Sequence, residues 1–307
     1  MSANKLTIRL PGSTTNLGPG FDTLGLALSV YTTVTFERSP ALAQPQIILK
    51  GQKAQSLPAD TDNLIYKVFS QNVREKELAR GIKLTIETEI PLARGLGSSS
   101  TAILAALWAA QAFASGSPDR AQVLAQAAAI EGHPDNVAAC LNGGFIISAY
   151  RISSHQPITQ RLTWPEKWHT LVVVPPYPLS TEEARKVLPR RVGIGQAVNN
   201  VQRTGLLIGA VANGDEEALK EALHDELHEP YRLHLVPELQ MLRRELKNLP
   251  ALGCVLSGAG SSSLVIVHEK DKAEIKRFLE DWAKKQKQEP EILDLTVDKT
   301  GLVATHE

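Results

Sequence analysis

The chain has 307 residues, 43% hydrophobic and 21% charged. That is an ordinary globular composition, which excludes a disordered or low-complexity chain, and the length suits about two domains. Lys plus Arg and Asp plus Glu each number 33, so the formal net charge is zero, and aromatic residues are 5%. No global field is left to hold nucleic acid or an anionic membrane, and base-stacking platforms are disfavoured.

In chain order, KLTIRL at 5–10 alternates apolar and polar side chains and predicts a strand. The N-terminal segment MSANKLTIRLPG lacks the apolar core of a secretory leader. β-Branched alternation predicts strands over 25–37 and 82–90. Between them, Asp60-Thr61-Asp62 opens a helical pattern with Leu64, Ile65, Val68, Phe69 and Val73 on one face. Residues 98–115 and 119–131 read as two Ala-rich helices separated by the breaker Ser115-Gly116-Ser117-Pro118. The apolar run Ala102–Ala110 is far short of the ~20 residues that cross a bilayer, so the first helix is expected to be buried in the protein and no membrane is involved.

GGFIISAYRI at 143–152 returns to strand. The polar, Pro-containing stretch 153–168 reads as a connection, giving expected domains of 1–155 and 156–307. Beyond it, LVVVPP at 171–176 is β-rich, and Ser180-Thr181-Glu182-Glu183 has the form of a capping box. Helical patterns follow at about 195–213, 215–225 and 237–248. Strands are predicted at 253–258 and 263–268, then a charged amphipathic helix over 270–286. The elements do not alternate regularly, which argues for an α+β architecture over a doubly wound sheet. Cys140 and Cys254 stand 114 positions apart among apolar neighbours and lack metal-ligand spacing. They read as buried free thiols of a reducing, cytoplasmic compartment.

Three segments are too rich in glycine and small polar residues for ordinary turns. The strongest follows the strand at 82–90 and opens a helix: Pro91-Leu92-Ala93-Arg94-Gly95-Leu96-Gly97-Ser98-Ser99-Ser100-Thr101. Its glycines let backbone approach a bulky anion, and the free N–H groups of the first helical turn point at it. Serine hydroxyls add donors or an oxygen ligand for magnesium. There is no Gly-Lys-Ser/Thr, so this is no Walker A loop, and no third glycine or following βαβ unit, so it is no Rossmann fingerprint. The second segment, Pro11–Asp22, holds three glycines and two prolines and is expected to be a loop of fixed shape that presents Asn16 and Asp22. The third, Leu256–Ser263, is expected to be a hairpin whose backbone approaches something closely.

In this order and spacing, the three segments resemble the three motifs of the GHMP small-molecule kinase superfamily, and the likeness is nearest to its homoserine kinase branch. PGSTTNLGPGFDTLGLAL at 11–28, EGHPDNVAACLNGGF at 131–145, VVVPPYPLSTEEARKVLP at 172–189, LHEPYR at 227–232 and LSGAGSSS at 256–263 carry it. The resemblance implies an N-terminal α+β domain with a left-handed βαβ crossover, a ferredoxin-like C-terminal domain and a cleft site between them. It implies ATP and magnesium as co-substrate and cofactor, with L-homoserine as acceptor.

By the same resemblance, residues 91–101 hold ATP with Asn63 near the adenine, and Glu131 with Ser99 or Ser98 binds the metal. Asn16, Asp22, His133, Asn136, Arg185 and Arg232 line the acceptor site. Asp22 suits an ammonium, and Arg185 and Arg232 suit a carboxylate as bidentate forks. Asn136 and Asp135 orient the hydroxyl, and Arg185 lies near the transferred phosphoryl. The same chemistry on another alcohol, such as mevalonate, and a non-catalytic ligand sensor are the alternatives. A homodimer stays open.

Overall fold

The computed structural model describes residues 4–74 and 76–306. Met1–Ala3, at the head of the segment weighed as a leader, lie outside the described residues. The N-terminal half contains β1 (Lys5–Asn16), β2 (Gly20–Arg38), β3 (Gln46–Lys50), α1 (Leu64–Asn72), α2 (Lys76–Arg80), β4 (Ile82–Thr88), α3 (Ser98–Ser115), α4 (Arg120–Glu131), α5 (Asp135–Asn142), β5 (Phe145–Tyr150) and β6 (Pro157–Leu162). The C-terminal half contains β7 (Trp168–Val174), α6 (Thr181–Lys186), α7 (Ile194–Asn213), α8 (Glu216–Ala222), α9 (Glu229–Arg232), α10 (Pro237–Leu246), β8 (Ala251–Leu256), β9 (Ser263–His268), α11 (Lys272–Ala283), β10 (Glu291–Leu295) and β11 (Val303–His306). Among the described residues, no helix is long and apolar enough to cross a membrane.

Two sheets organise these elements. The first runs β11-β1-β2-β4-β3, with β5 pairing β2 and β6. Its β3 and β4 pair in parallel and are joined through α1 and α2, which is the βαβ unit. The second sheet has the order β10-β7-β9-β8 with antiparallel neighbours. Numbered along the chain, its strands lie 4-1-3-2 with α11 before the last, the ferredoxin-like arrangement.

Period-two alternation sets the burial. Leu6, Ile8 and Leu10 of β1 join Ile82, Leu84 and Ile86 of β4 in one core, against the helices α1, α3, α4 and α5. The α3 helix, Ala-rich and apolar nearly all round, is buried in that layer as expected. In β7, Leu171 and Val173 face α10 and α11, while Val172 and Val174 face the other way. That other side is a core shared by both sheets, where Leu24 and Leu26 of β2 meet Val172, Leu223, Val255 and Ile266.

The expected boundary at residue 155 cuts across the first sheet. The stretch 153–168, read as a connection, contains β6, which pairs antiparallel with β5 from Phe145↔Leu162 to Tyr150↔Pro157. Its alternating PITQRL faces are only half covered, so composition alone gave a loop-like signal. The last strand, β11, returns to β1 with Leu6 opposite His306, so both ends of the chain close the same sheet. The segment 11–22, expected to be a loop, is largely strand: β1 continues to Asn16, and only Leu17-Gly18-Pro19 turn before β2. Residues 10–20 are buried.

Candidate active site

The three glycine-rich segments meet at one cleft of about 390 Å3. Gly97 takes a left-handed φ of 73° as N-cap of α3, and Thr101 N donates to Gly97 O at 3.0 Å. The N–H groups of Ser98, Ser99 and Ser100 therefore have no carbonyl within the helix and lie on the cleft wall. With the helix dipole behind them they form a cradle for a polyanion.

The glycines serve a second purpose that their spacing did not reveal. A Cβ at Gly95 would overlap the Ser257 carbonyl oxygen and crowd Gly260, and one at Gly97 would overlap Ser13 Oγ. The third segment approaches both of the others: Ser257 Oγ donates to Gly95 O at 2.7 Å, Ser262 N to Arg94 O at 3.2 Å, and Gly258 N to Thr15 O at 3.1 Å, while Gly258 and Ala259 line the cleft. Gly95→Ala is accordingly expected to cost at least about 1–2 kcal/mol from its φ of 72° alone, with the overlap adding to it. A denaturant midpoint unchanged from the parent would refute this.

The other residues of this segment divide. Pro91 lies on the opposite side of the loop from the cleft. Arg94 braces the loop, its guanidinium donating to the carbonyls of Leu92, Pro175 and Pro176 at 2.8, 2.9 and 3.0 Å. Leu92, Ala93, Arg94, Gly95, Leu96 and Thr101 line the cleft. Asn63 also lines it, but its side chain caps α1, accepting from Ile65 N at 3.0 Å and donating to Pro58 O at 2.8 Å.

Glu131, at the end of α4, accepts from Ser100 Oγ at 3.1 Å. The serine that meets this carboxylate is therefore Ser100, while Ser98 and Ser99 line the same wall. Carboxylate and hydroxyl oxygens are hard donors, which fits a magnesium ion.

The α5 helix begins at Asp135, just after Pro134. The Asp135 carboxylate is buried and already engaged. Its Oδ1 accepts from Asn136 N at 2.8 Å and lies 2.6 Å from His133 Nδ1. Burial lowers the His133 pKa, but the hydrogen bond and charge of Asp135, with Asp22 and Glu131 nearby, raise it overall. Asn136 is fixed by residues the motif reading missed: Ser13 Oγ donates to its Oδ1 at 2.8 Å, and its Nδ2 donates to Thr15 Oγ1 at 3.1 Å. Asn136 therefore offers the cleft an N–H. Reading 11–16 as strand would have placed Ser13 and Thr15 on one face.

Asp22 (φ 53°) reaches into the same cleft. Its carboxylate takes a 2.6 Å ion pair from Arg185 of α6 and lies within 4.8 Å of the His133 and Asp135 ligand atoms. Asn16 supports it: Oδ1 accepts from Asp22 N at 3.0 Å and Nδ2 donates to Gly258 O at 2.8 Å. Asn16 lines the cleft, and its side chain braces Asp22 and Gly258 there.

Arg232, at the end of α9, is only 2% exposed yet lines the cleft. Burial and the charge of Arg185 lower its pKa to about 10. Arg185 and Arg232 both sit over the Phe21 ring, 5.5 and 5.4 Å from its centre. Two guanidiniums thus share one platform, with a single carboxylate, Asp22, paired to one of them.

A polyanion cradle facing a cluster of opposed charges defines a phosphotransferase for small polar molecules. Residues 63–144 match the model of the GHMP kinase N-terminal domain, and 207–285 that of the GHMP kinase C-terminal domain. The chain belongs to the GHMP kinase family. It is 39% identical to a homoserine kinase of Synechococcus sp. over 275 residues, 89% of each chain. It is 42% identical to a homoserine kinase of Solibacter usitatus over 259 residues, 84% of each. The crystal structure of homoserine kinase from Cytophaga hutchinsonii superposes with a TM-score of 0.84 at 22% identity, over 99% of this chain and 98% of that one, which shows a shared fold.

Proposed function

We propose that the chain transfers the γ-phosphoryl group of ATP to the hydroxyl of L-homoserine, giving O-phospho-L-homoserine and ADP, in a cytoplasmic pathway of threonine biosynthesis. The observation that carries the reading is Asp22, which stands between the Arg185–Arg232 pair and the Asp135–His133 pair. An α-amino acid brings an ammonium and a carboxylate on one carbon, and this juxtaposition answers both. Mevalonate has no ammonium and would leave Asp22 without that partner. The relatives named above support the same substrate.

In this reading the first turn of α3 holds the phosphates of ATP, with the base toward Asn63. Glu131, Ser100 and Ser99 hold magnesium, which when bound neutralises charge on the phosphates. Arg232 and Arg185 take the carboxylate, and Asp22 takes the ammonium. The free N–H of Asn136 points the hydroxyl oxygen along the line of attack. Arg185 also answers charge on the transferred group. ADP release with ATP, magnesium and L-homoserine as the only substrates tests the reading. Turnover with mevalonate but not homoserine would refute it.

A general base is not required, because the transition state of phosphoryl transfer is loose. Asp135 supports this: its Oδ1 already serves His133 and the start of α5. Asp135→Asn keeps an acceptor there and removes basicity. Its kcat is expected to fall by less than about a hundredfold, short of what loss of a strong general base brings. A fall of about ten-thousandfold, with homoserine KM unchanged and the fold intact, would make Asp135 the base instead.

A further inference from the structure

His228 is fully buried at the start of α9 and belongs to none of the roles above. Its Nε2 lies 2.9 Å from Gly18 O, in the turn between β1 and β2. A carbonyl only accepts, so Nε2 carries the proton. Burial lowers the His228 pKa and favours the neutral ring, whose Nδ1 is then a bare lone pair. That lone pair lies 3.0 Å from Arg232 Nη1, an obligate donor. The ring also stacks on Phe21 at 5.0 Å and 19°. Its own backbone N–H donates to Asp225 Oδ2 at 2.9 Å, and Asn200 donates to Asp225 Oδ1 at 2.8 Å.

We infer that His228 is a positioning residue for the carboxylate clamp. Held as the Nε2–H tautomer by Gly18, it fixes through Nδ1 the direction in which Arg232 presents its remaining N–H groups, and it couples that direction to the turn that leads into Phe21 and Asp22 at the start of β2. The inference rests on the proposed binding of an acceptor carboxylate by Arg232. Arg232 Nε is likewise fixed, donating to Ala184 O at 3.0 Å. Two anchors on different elements leave the guanidinium plane one orientation, so its fork is aimed before substrate arrives.

The two ring nitrogens can be removed separately. In His228→Gln the side-chain amide reaches the Gly18 carbonyl, but nothing accepts from Arg232. In His228→Asn the amide oxygen stands near the Nδ1 position and still accepts from Arg232. The Gln variant is expected to raise the homoserine KM about tenfold, with ATP KM and kcat within about twofold. The Asn variant should restore most of the homoserine KM, although it loses the Gly18 bond. Equal homoserine KM values in the two variants, or an ATP KM that rises as much as that for homoserine, would overturn the inference.

Should either variant fail to fold, the imidazole 15N spectrum of the parent protein decides. The Nε2–H neutral tautomer through neutral pH supports the inference, and an Nδ1–H or doubly protonated ring overturns it. Should the parent phosphorylate mevalonate and not homoserine, the substrate reading fails by itself. Mevalonate also bears a carboxylate, so the same comparison on its KM then judges the clamp.

Discussion

Arg232→Ala is expected to raise the homoserine KM by roughly ten- to 150-fold while leaving the ATP KM within about twofold. A charge-assisted hydrogen bond to a carboxylate contributes about 1.5–3 kcal/mol, which is that range. The effect should be large because the guanidinium is held in a buried site, where water cannot take its place. It should be selective because Arg232 sits over Phe21, beside Arg185 and Asp22, and makes no hydrogen bond to the first turn of α3 among the described residues. The substitution also strips a donor from Ala184 O and from His228 Nδ1, so part of its cost falls on stability. Steady-state kinetics well below the melting temperature separate the two effects. A parallel rise in both KM values would remove Arg232 from the acceptor site.

Glu229→Ala should destabilise the protein by about 3 kcal/mol, the low end for breaking a buried ion pair. Glu229 is 2% exposed, and one oxygen accepts from Leu256 N at 2.7 Å while the other accepts from Arg243. Removing the carboxylate leaves a buried backbone donor and a guanidinium without their partner. Arg243 is about one-third exposed and also donates to Cys254 O, which moderates the loss. The same carboxylate ties the helix carrying Arg232 to the strand before the third glycine-rich segment, so homoserine KM should rise as stability falls. Urea unfolding of Glu229→Ala and Glu229→Gln tests this. The Gln variant keeps an acceptor for Leu256 N and should lie between Ala and the parent, and equal midpoints for all three proteins would refute the assignment.

Much of this architecture was legible in the sequence because burial follows local period. The α3 helix declared itself by an apolar run, β1 by alternation and β7 by a β-rich run. The phosphate cradle was legible because a strand, two glycines and three serines fall in one contiguous stretch. The missed strands were β3, β6, β10 and β11, which are four to six residues long. β5, β8 and β9 are six residues long too but are largely apolar, whereas the missed strands are half-exposed and mixed in polarity, so neither length nor composition marked them. The acceptor site was legible as charged residues within motifs, but not as geometry. The bracing contact of Asn16 could not be read, because it is made with Gly258, 242 positions on. Ser13, Thr15, Phe21 and His228 gave no titratable or nucleophilic pattern pointing at substrate. Their work is to aim other side chains, and only the assembled hairpins bring them together.

The shared core between the two sheets has a mechanical consequence. Leu24 and Leu26 of the first sheet share one buried core with Val172, Leu223, Val255 and Ile266 of the second half. Closing the cleft by swinging one half on the other would tear that contact open, and close-packed interiors yield in discrete steps or not at all. That shared core therefore opposes a wide hinge motion between the two halves. The short α6 segment belongs to the same frame: its Arg185 is half-exposed, but its one buried side chain is Ala184, whose carbonyl holds Arg232. With most of its residues held in advance, the enzyme meets its two substrates with little of its own conformational freedom left to lose.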